Sequence, residues 1–171
     1  MTGGDNVMSA GNQQETISYI LGFVDAEGCF SVSLKKQKTS RFGWVLDPVF
    51  HVTQHEEHKE ILELIKYNLK CGRIIGKHGQ KETLQFLVDN RTQLNEKVIP
   101  FFNKNNLLVK GEDFLLFKRI VEGLERKEHT KPESFAELIK LAFKMNMRGK
   151  QRRYQLPEVL TNLVGSSETV R

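Results

Sequence analysis

The chain has 171 residues, of which 39% are hydrophobic and 27% are charged. This composition predicts one globular domain or a tightly fused pair, with enough residues for a sizeable core. The net charge of +5 and the pI of about 9.2 favour a polyanionic partner without requiring one. Two cysteines, Cys29 and Cys71, exclude a disulfide framework and lack the spacing of a zinc site. No apolar run approaches the ~20 residues that cross a bilayer, which excludes a membrane-spanning helix.

The two ends of the chain differ in composition from the middle. Residues 1–14 are rich in Gly, Asn and Gln and have no apolar core, which predicts a flexible tail rather than a signal peptide. We expect a single domain over residues 15–164 and a second flexible tail over residues 165–171. Because the two cysteines are interpreted as buried thiols, we expect an intracellular, reducing compartment, either a prokaryotic cytoplasm or an organelle.

The first predicted helix runs from Thr16, a suitable N-cap, to residue 27. Ser18, Gly22 and Ala26 recur at intervals of four, which gives the helix one face of small residues. Such a face allows another helix to approach backbone to backbone. Packing inside the monomer is the alternative interpretation.

This helix ends in the acids Asp25 and Glu27, followed by Gly28. The macrodipole is negative at a helix C-terminus, so carboxylates are unfavourable there. A cation that shares the site would explain them, and carboxylate oxygens suit a hard ion such as Mg²⁺. On spacing alone, a solvated or capping role remains open for both acids.

Two hairpins with alternating polarity follow the first helix, with strands predicted over residues 29–37 and 42–53, then 73–77 and 82–88. Pro48 predicts that the second strand lies at an edge or carries a local irregularity. Helices are predicted over residues 56–69, 91–103, 112–126 and 133–147, with a short one over 157–163. The order α-β-β-α-β-β-α, followed by more helix, predicts an α+β fold with a four-stranded antiparallel sheet.

The outer face of the predicted sheet carries polar side chains of the kind that read base edges in the major groove of DNA. A plain solvated face is the alternative, but lysines at both hairpin tips favour nucleic acid. The candidate DNA-binding residues of the sheet and its tips are Ser31, Ser33, Lys35, Gln37, Lys38, Arg41, Val45, Asp47, Val49, His51, Arg73, Ile75, Lys77, His78, Lys81, Thr83 and Gln85.

Residues 19–28 read Y-I-L-G-F-V-D-A-E-G and resemble the motif of the LAGLIDADG homing endonucleases. Further similarities lie at residues 50–54, 72, 100–102, 107–110 and 145–146, so that the resemblance covers residues 16–163. It also agrees with the predicted order of elements. Because the motif occurs once, the chain resembles the single-motif branch, whose members act as homodimers.

The resemblance implies that Ser18, Gly22 and Ala26 form the contact between two copies of the first helix. Glu27 then matches the metal-binding acid of the motif, and the backbone carbonyl of Ala26 matches a further ligand. Mg²⁺ is the expected metal, and Mn²⁺ is expected to substitute for it. This chain has Glu27 where the name of the motif has aspartate, so the metal position or the preferred ion is expected to differ slightly.

The resemblance also implies that Gln54 orients solvent near the metal and that Lys110 stabilises charge or assists proton movement. A solvated surface lysine is the alternative for Lys110. His58 matches a position where some relatives place an arginine near the scissile phosphate, and His51 lies on the expected DNA face. A structural role is equally compatible with both histidines. Residues 148–153 form a basic loop, which is interpreted as a site of phosphate contacts or, alternatively, as a solvated turn. Its basic residues are Arg148, Lys150, Arg152 and Arg153.

Taken together, these features predict a metal-dependent phosphodiester hydrolase that acts in intron homing. As a homodimer it would cut one phosphodiester per strand of a long, pseudo-palindromic DNA site and leave short 3′ overhangs, as the family implies. We expect double-stranded DNA as the partner, no membrane, and no cofactor other than the divalent metal. The alternatives are an RNA maturase that assists splicing and a non-cleaving DNA-binding regulator of the same fold.

Overall fold

The computed structural model describes residues 10–145 and 154–168. Helix α1 (Ala10–Glu27) leads into strands β1 (Gly28–Lys36) and β2 (Trp44–His55), and helix α2 (Glu60–Leu69) follows a short 3₁₀ turn. Strands β3 (Arg73–Gly76) and β4 (Thr83–Val88) form the second hairpin. The remaining helices are α3 (Arg91–Gln93), a π-helical turn (Leu94–Val98), α4 (Ile99–Lys104), α5 (Gly111–Glu125), α6 (Pro132–Met145) and α7 (Leu156–Glu168). The predicted α+β fold and its α-β-β-α-β-β-α order are confirmed.

Several predicted boundaries are wrong by a few residues. Helix α1 begins at Ala10 rather than at Thr16, and the Thr16 hydroxyl donates to the carbonyl of Asn12 at 2.8 Å instead of capping the helix. Residues 10–14 of the predicted tail are therefore helical. The predicted helix over 157–163 is longer, because α7 extends to Glu168. The ends of both predicted tails, residues 1–9 and 169–171, lie outside the described residues.

The four strands form one antiparallel sheet in the order β1-β2-β4-β3. In its register Gly28 pairs with Val52, and Phe50 pairs with Val88. Strand β2 is therefore central, which corrects the simplest interpretation of Pro48 as a residue of an edge strand. However, β4 pairs with β2 only from Phe50 onward. Pro48 consequently precedes that pairing, and its missing N–H costs no hydrogen bond to β4.

The core lies between one face of the sheet and the helices. The ring of Phe30 stacks on that of Phe50 at 4.9 Å, and both rings meet Phe102 edge-on at 5.4 Å. Phe30, Phe50 and Val52 are buried, as their alternation with polar residues predicts. Since the helices cover this face alone, the opposite face of the sheet is left without a covering layer among the described elements.

Helix α1 contributes to the same core through Ile20 and Val24, which are both fully buried. None of the described helices is long and apolar enough to span a membrane. Cys71 is buried as predicted, whereas Cys29 is only half-buried, and neither forms a disulfide. Burial raises the pKa of the Cys71 thiol to about 11.

Candidate active site and nucleic-acid interface

Helix α1 passes into β1 without a loop because residue 28 is glycine. A Cβ atom at Gly28 would lie 2.6 Å from the carbonyl oxygen of Val24, which is too close for any other residue. The tight junction fixes the last turn of α1 relative to the sheet. Asp25, Ala26 and Glu27 are therefore held in place by the backbone itself.

The Glu27 side chain is exposed, and it has neither a hydrogen bond nor an ion pair with any described residue. It lies at the negative end of the α1 macrodipole, where an unneutralised carboxylate is unfavourable. No cluster of three or more His, Cys, Asp or Glu side chains surrounds it within residues 10–145 and 154–168. One protomer thus presents a single free carboxylate rather than a complete metal site.

The neighbouring acid, Asp25, has a different role from Glu27. One of its carboxylate oxygens accepts from the backbone N–H of Leu108 at 2.8 Å, and the other accepts from Val109 and Lys110 at 3.1 and 3.0 Å. These three N–H groups lie just before and at the start of α5, where backbone donors lack partners within the helix. Asp25 therefore joins the C-terminal end of α1 to the N-terminal end of α5. The sequence grouped Asp25 with Glu27, and the only signal for this separate role was the need of α5 for acceptors at its start.

Lys110 lies directly over the end of α1. Its ammonium group donates to the carbonyl oxygen of Asp25 and, at 3.2 Å, to that of Ala26. A positive charge is stabilised there because the last carbonyls of a helix carry the negative end of its dipole. The carbonyl of Ala26, which was predicted as a metal ligand, thus already attracts a cation in this structure. Lys110 is not the solvated surface lysine of the alternative interpretation.

Gln54 lies near the point where α1 joins β1. Its position in β2 is two residues beyond Val52, the partner of Gly28. Its side-chain oxygen accepts from the backbone N–H of His55 at 2.7 Å. The amide nitrogen of Gln54 has no hydrogen bond to a described residue, so this side chain keeps a donor for another group.

The two histidines considered in the sequence lie in different surroundings. His51 is half-buried on the outer face of the sheet, and its pKa is lowered by burial and by the nearby charge of Lys77. His58 is exposed in the 3₁₀ turn (Glu56–His58) that follows β2. The lowered pKa keeps His51 neutral near pH 7, so that it can both donate and accept hydrogen bonds on this face.

The outer face of the sheet brings the strand residues of the predicted DNA-binding set together. The pairing register places Ser33 opposite Asp47, and Gln85 between Thr53 and Ile75. The residues predicted at the two hairpin tips are all exposed, namely Lys38, Arg41, His78 and Lys81. The predicted phosphate-binding loop with Arg148, Lys150, Arg152 and Arg153 lies outside the described residues.

Two of the basic residues on this face are paired with acids of the same face. Lys35 forms an ion pair with Asp47, and the Arg73 guanidinium donates two hydrogen bonds of 2.7 Å to the Asp89 carboxylate. The hydrogen bonds from Arg73 lower the pKa of Asp89, and Asp89 raises the pKa of Arg73. Such bidentate pairing fixes the plane of a guanidinium group. Asp89 is absent from the predicted set because its pairing across the hairpin was not visible in the sequence.

The small-residue face of α1 is open. Ser18, Gly22 and Ala26 are all exposed, and a Cβ atom at Gly22 would meet nothing within 4 Å. Tyr19 on the same helix is 61% exposed, while Ile20 is fully buried on the opposite side. A helix with apolar residues on all sides is normally covered on all sides. No described residue of this chain covers the small-residue face, so within the described part of the chain these residues are open to contact with another molecule.

Comparison with known proteins agrees with this geometry. A family profile described as LAGLIDADG endonuclease matches residues 20–121. The DNA endonuclease I-CeuI of Chlamydomonas moewusii is 43% identical over 90 residues, which make up 53% of this chain and 41% of that enzyme. The homing endonuclease I-ApeII of Aeropyrum pernix is 32% identical over 146 residues, which make up 83% of this chain and 86% of that enzyme.

A solved structure with the same fold is that of the archaeal intron-encoded homing endonuclease I-Vdi141I complexed with DNA. It is 39% identical to this chain, with a TM-score of 0.85 over 91% of this chain and 99% of that chain. The group I intron-encoded homing endonuclease I-CeuI complexed with DNA is 30% identical, with a TM-score of 0.80 over 87% of this chain and 76% of that chain. The family match covers more than half of the chain, and the motif residues 19–28 lie at the helix end described above. This chain belongs to the LAGLIDADG endonuclease family.

Proposed function

We propose that this protein is a homodimeric homing endonuclease that cuts both strands of a long, specific DNA site. The observation that carries this proposal is the unpaired Glu27 carboxylate at the end of a helix whose small-residue face is open. If two copies of α1 cross at Ser18, Gly22 and Ala26 around a two-fold axis, their Glu27 side chains come together. One protomer supplies half of the active site, and the second copy completes it.

The residues at this helix end fit a divalent cation. Glu27 and the Ala26 carbonyl are both oxygen donors, the type that Mg²⁺ and Mn²⁺ prefer. The contact of the Lys110 ammonium with Ala26 supports this assignment, since a positive charge already lies beside that carbonyl. A bound divalent ion would supply Lewis-acid stabilisation of the scissile phosphate and a more acidic attacking water. Two Glu27 carboxylates close to each other would repel strongly without such a cation.

The other two predicted catalytic residues, Gln54 and Lys110, are assigned supporting roles in the reaction. Gln54 keeps its side-chain amide nitrogen free to donate, and we assign to it the orientation of water at the helix end. Lys110 holds a positive charge at the same place, and we assign to it stabilisation of the charge that develops on the phosphate. Lys110 donates to the Ala26 carbonyl, which places its ammonium group beside the oxygen atoms proposed to bind the cation. No covalent protein nucleophile is needed.

The outer face of the sheet is the proposed DNA-binding surface. A two-stranded ribbon fits the major groove of B-DNA, which is about 12 Å wide. Alternating side chains from four strands would contact base edges, and the exposed tip residues Lys38, Arg41 and Lys81 would contact phosphates. We predict that affinity falls steeply as salt concentration rises, because phosphate contacts release counterions.

The test is a cleavage selection on a library of randomised DNA duplexes with Mg²⁺ or Mn²⁺. We expect cut ends at one long sequence with two related halves, and protein of dimeric mass on uncut DNA. Binding without cut ends in either ion would refute the nuclease and leave the DNA-binding regulator. Selective binding of structured intron RNA, with no affinity for duplex DNA, would favour the maturase instead.

A further inference from the structure

Two large apolar side chains point into solvent beside the C-terminal end of α1. Leu108 is 93% exposed and Val109 is 77% exposed, although both follow Leu107, which is buried. Single exposed apolar residues are common on protein surfaces. Two adjacent ones that are this exposed, next to an open helix face, form an uncovered apolar patch at this end of α1.

The backbone holds this pair in the exposed position. The Asp25 carboxylate accepts from the N–H groups of Leu108, Val109 and Lys110, and the Lys110 ammonium donates back to the carbonyls of Asp25 and Ala26. Turning Leu108 and Val109 inward would break several of these hydrogen bonds. The exposure is therefore built into the junction between α1 and α5.

The patch adjoins the proposed contact between two copies of α1. Asp25 immediately precedes Ala26, the last small residue of the open face, so the hydrogen bonds on Asp25 place Leu108 and Val109 at the same end of the helix. A stable dimer usually buries about 800 Å² on each partner. Small residues such as Ser, Gly and Ala contribute little area of their own. Tyr19, which is 61% exposed on α1, and larger apolar side chains at the flank of the helix contact would add to that area.

We propose that Leu108 and Val109 belong to the dimer interface and pack against the second copy of this chain. This inference rests on the proposed function, because it requires the two-fold contact through α1. The occupant is a second copy rather than DNA, since the pair lies beside the open face of α1 and not on the proposed DNA-binding face of the sheet, and apolar side chains gain nothing from phosphates. By two-fold symmetry each protomer both supplies the pair and receives it. Asp25 would then position Lys110 for the active site and the apolar pair for the interface at the same time.

The test is the dimer dissociation constant from sedimentation velocity over a range of protein concentrations. The double variant Leu108→Asp/Val109→Asp should raise this constant at least roughly tenfold, because it would bury charge in an apolar contact. Tyr67→Asp is the matched control, since Tyr67 is 76% exposed and lies on α2 next to β3, at the opposite edge of the sheet from β1. The control should dimerise like the original protein.

A second double variant controls for repulsion between the introduced aspartates and the carboxylate of Asp25. Leu108→Ser/Val109→Ser adds no charge beside Asp25, and it should also weaken the dimer while the thermal transition of the monomer is unchanged. If both double variants keep the original dissociation constant, the inference is overturned while the proposed function stands. If the original protein is monomeric even on DNA, the proposed homodimer itself fails.

Discussion

The contact between Asp25 and the start of α5 can be tested through stability. Asp25→Asn keeps the size of the side chain but removes its charge, and it turns an NH₂ group towards a backbone N–H of Leu108, Val109 or Lys110. Each hydrogen bond to a charged acceptor contributes about 1.5–3 kcal/mol when buried. Two of these three bonds are exposed to solvent, and the charge also opposes the dipole of α1 while favouring that of α5. We therefore expect a net loss of about 1–3 kcal/mol in the free energy of unfolding.

A loss of this size lowers the melting temperature by roughly 3–10 °C for a chain of this length. The assay is thermal and urea unfolding at one fixed protein concentration, because dimerisation also stabilises the fold. Asp47→Asn is the matched control, since Asp47 forms an exposed ion pair with Lys35 that is worth at most about 1 kcal/mol. If Asp25→Asn is no less stable than Asp47→Asn, the hydrogen bonds to the start of α5 do not hold the two helices together.

Three further predictions concern other parts of the fold. Gly28→Ala should lower the yield of folded protein, or lower the free energy of unfolding by more than about 1 kcal/mol, because the added Cβ meets Val24 at the helix–strand junction. Circular dichroism during urea unfolding measures this, and an unchanged midpoint would refute it. Asp89→Asn should change the free energy of unfolding by no more than about 1 kcal/mol. It should nevertheless change the base preference at one position of each half-site, because Arg73 loses its bidentate partner. Sequencing of bound duplexes from a randomised library checks this, and an identical base-preference profile would contradict it. The Cys71 thiol should stay protonated up to about pH 10, because its pKa is about 11. At pH 8 iodoacetamide should therefore modify Cys71 in the folded protein roughly 100-fold more slowly than it modifies an ordinary thiol. Rapid modification of Cys71, located by mass spectrometry, would show that it is not buried.

The sequence predicted the sheet well because its signal is local. Phe50 and Val52 alternate with outward-facing residues, and both are fully buried. The short apolar run before Asp25 and Gly28 was enough to indicate the family, and the profile match confirms it. Exposure of Ser18, Gly22 and Ala26 agrees with the predicted open face of α1, although their contact with a second copy remains a prediction.

The sequence did not predict interactions between distant residues. The acceptors on Asp25 bind N–H groups more than 80 positions later in the chain, and the Asp89 partner of Arg73 is 16 positions away across a hairpin. No periodicity in the sequence records such contacts, because they depend on how the finished elements meet. The π-helical turn (Leu94–Val98) was missed because one helix was predicted over residues 91–103, and so short a turn does not change the spacing of apolar residues enough to be recognised.

The role of Glu27 is tested by comparing DNA cleavage with DNA binding after Glu27→Gln. This change removes the charge that a divalent cation needs, but it leaves the small-residue face of α1 and the DNA-binding sheet unchanged. Glu15→Gln, an exposed acid on the same helix, is the matched control. We expect that the Glu27 variant stays dimeric and binds the selected duplex with the original affinity but yields no cut ends in Mg²⁺ or Mn²⁺, while the control cuts normally. Cleavage at the original rate by Glu27→Gln would contradict the assignment of the active site to the end of α1.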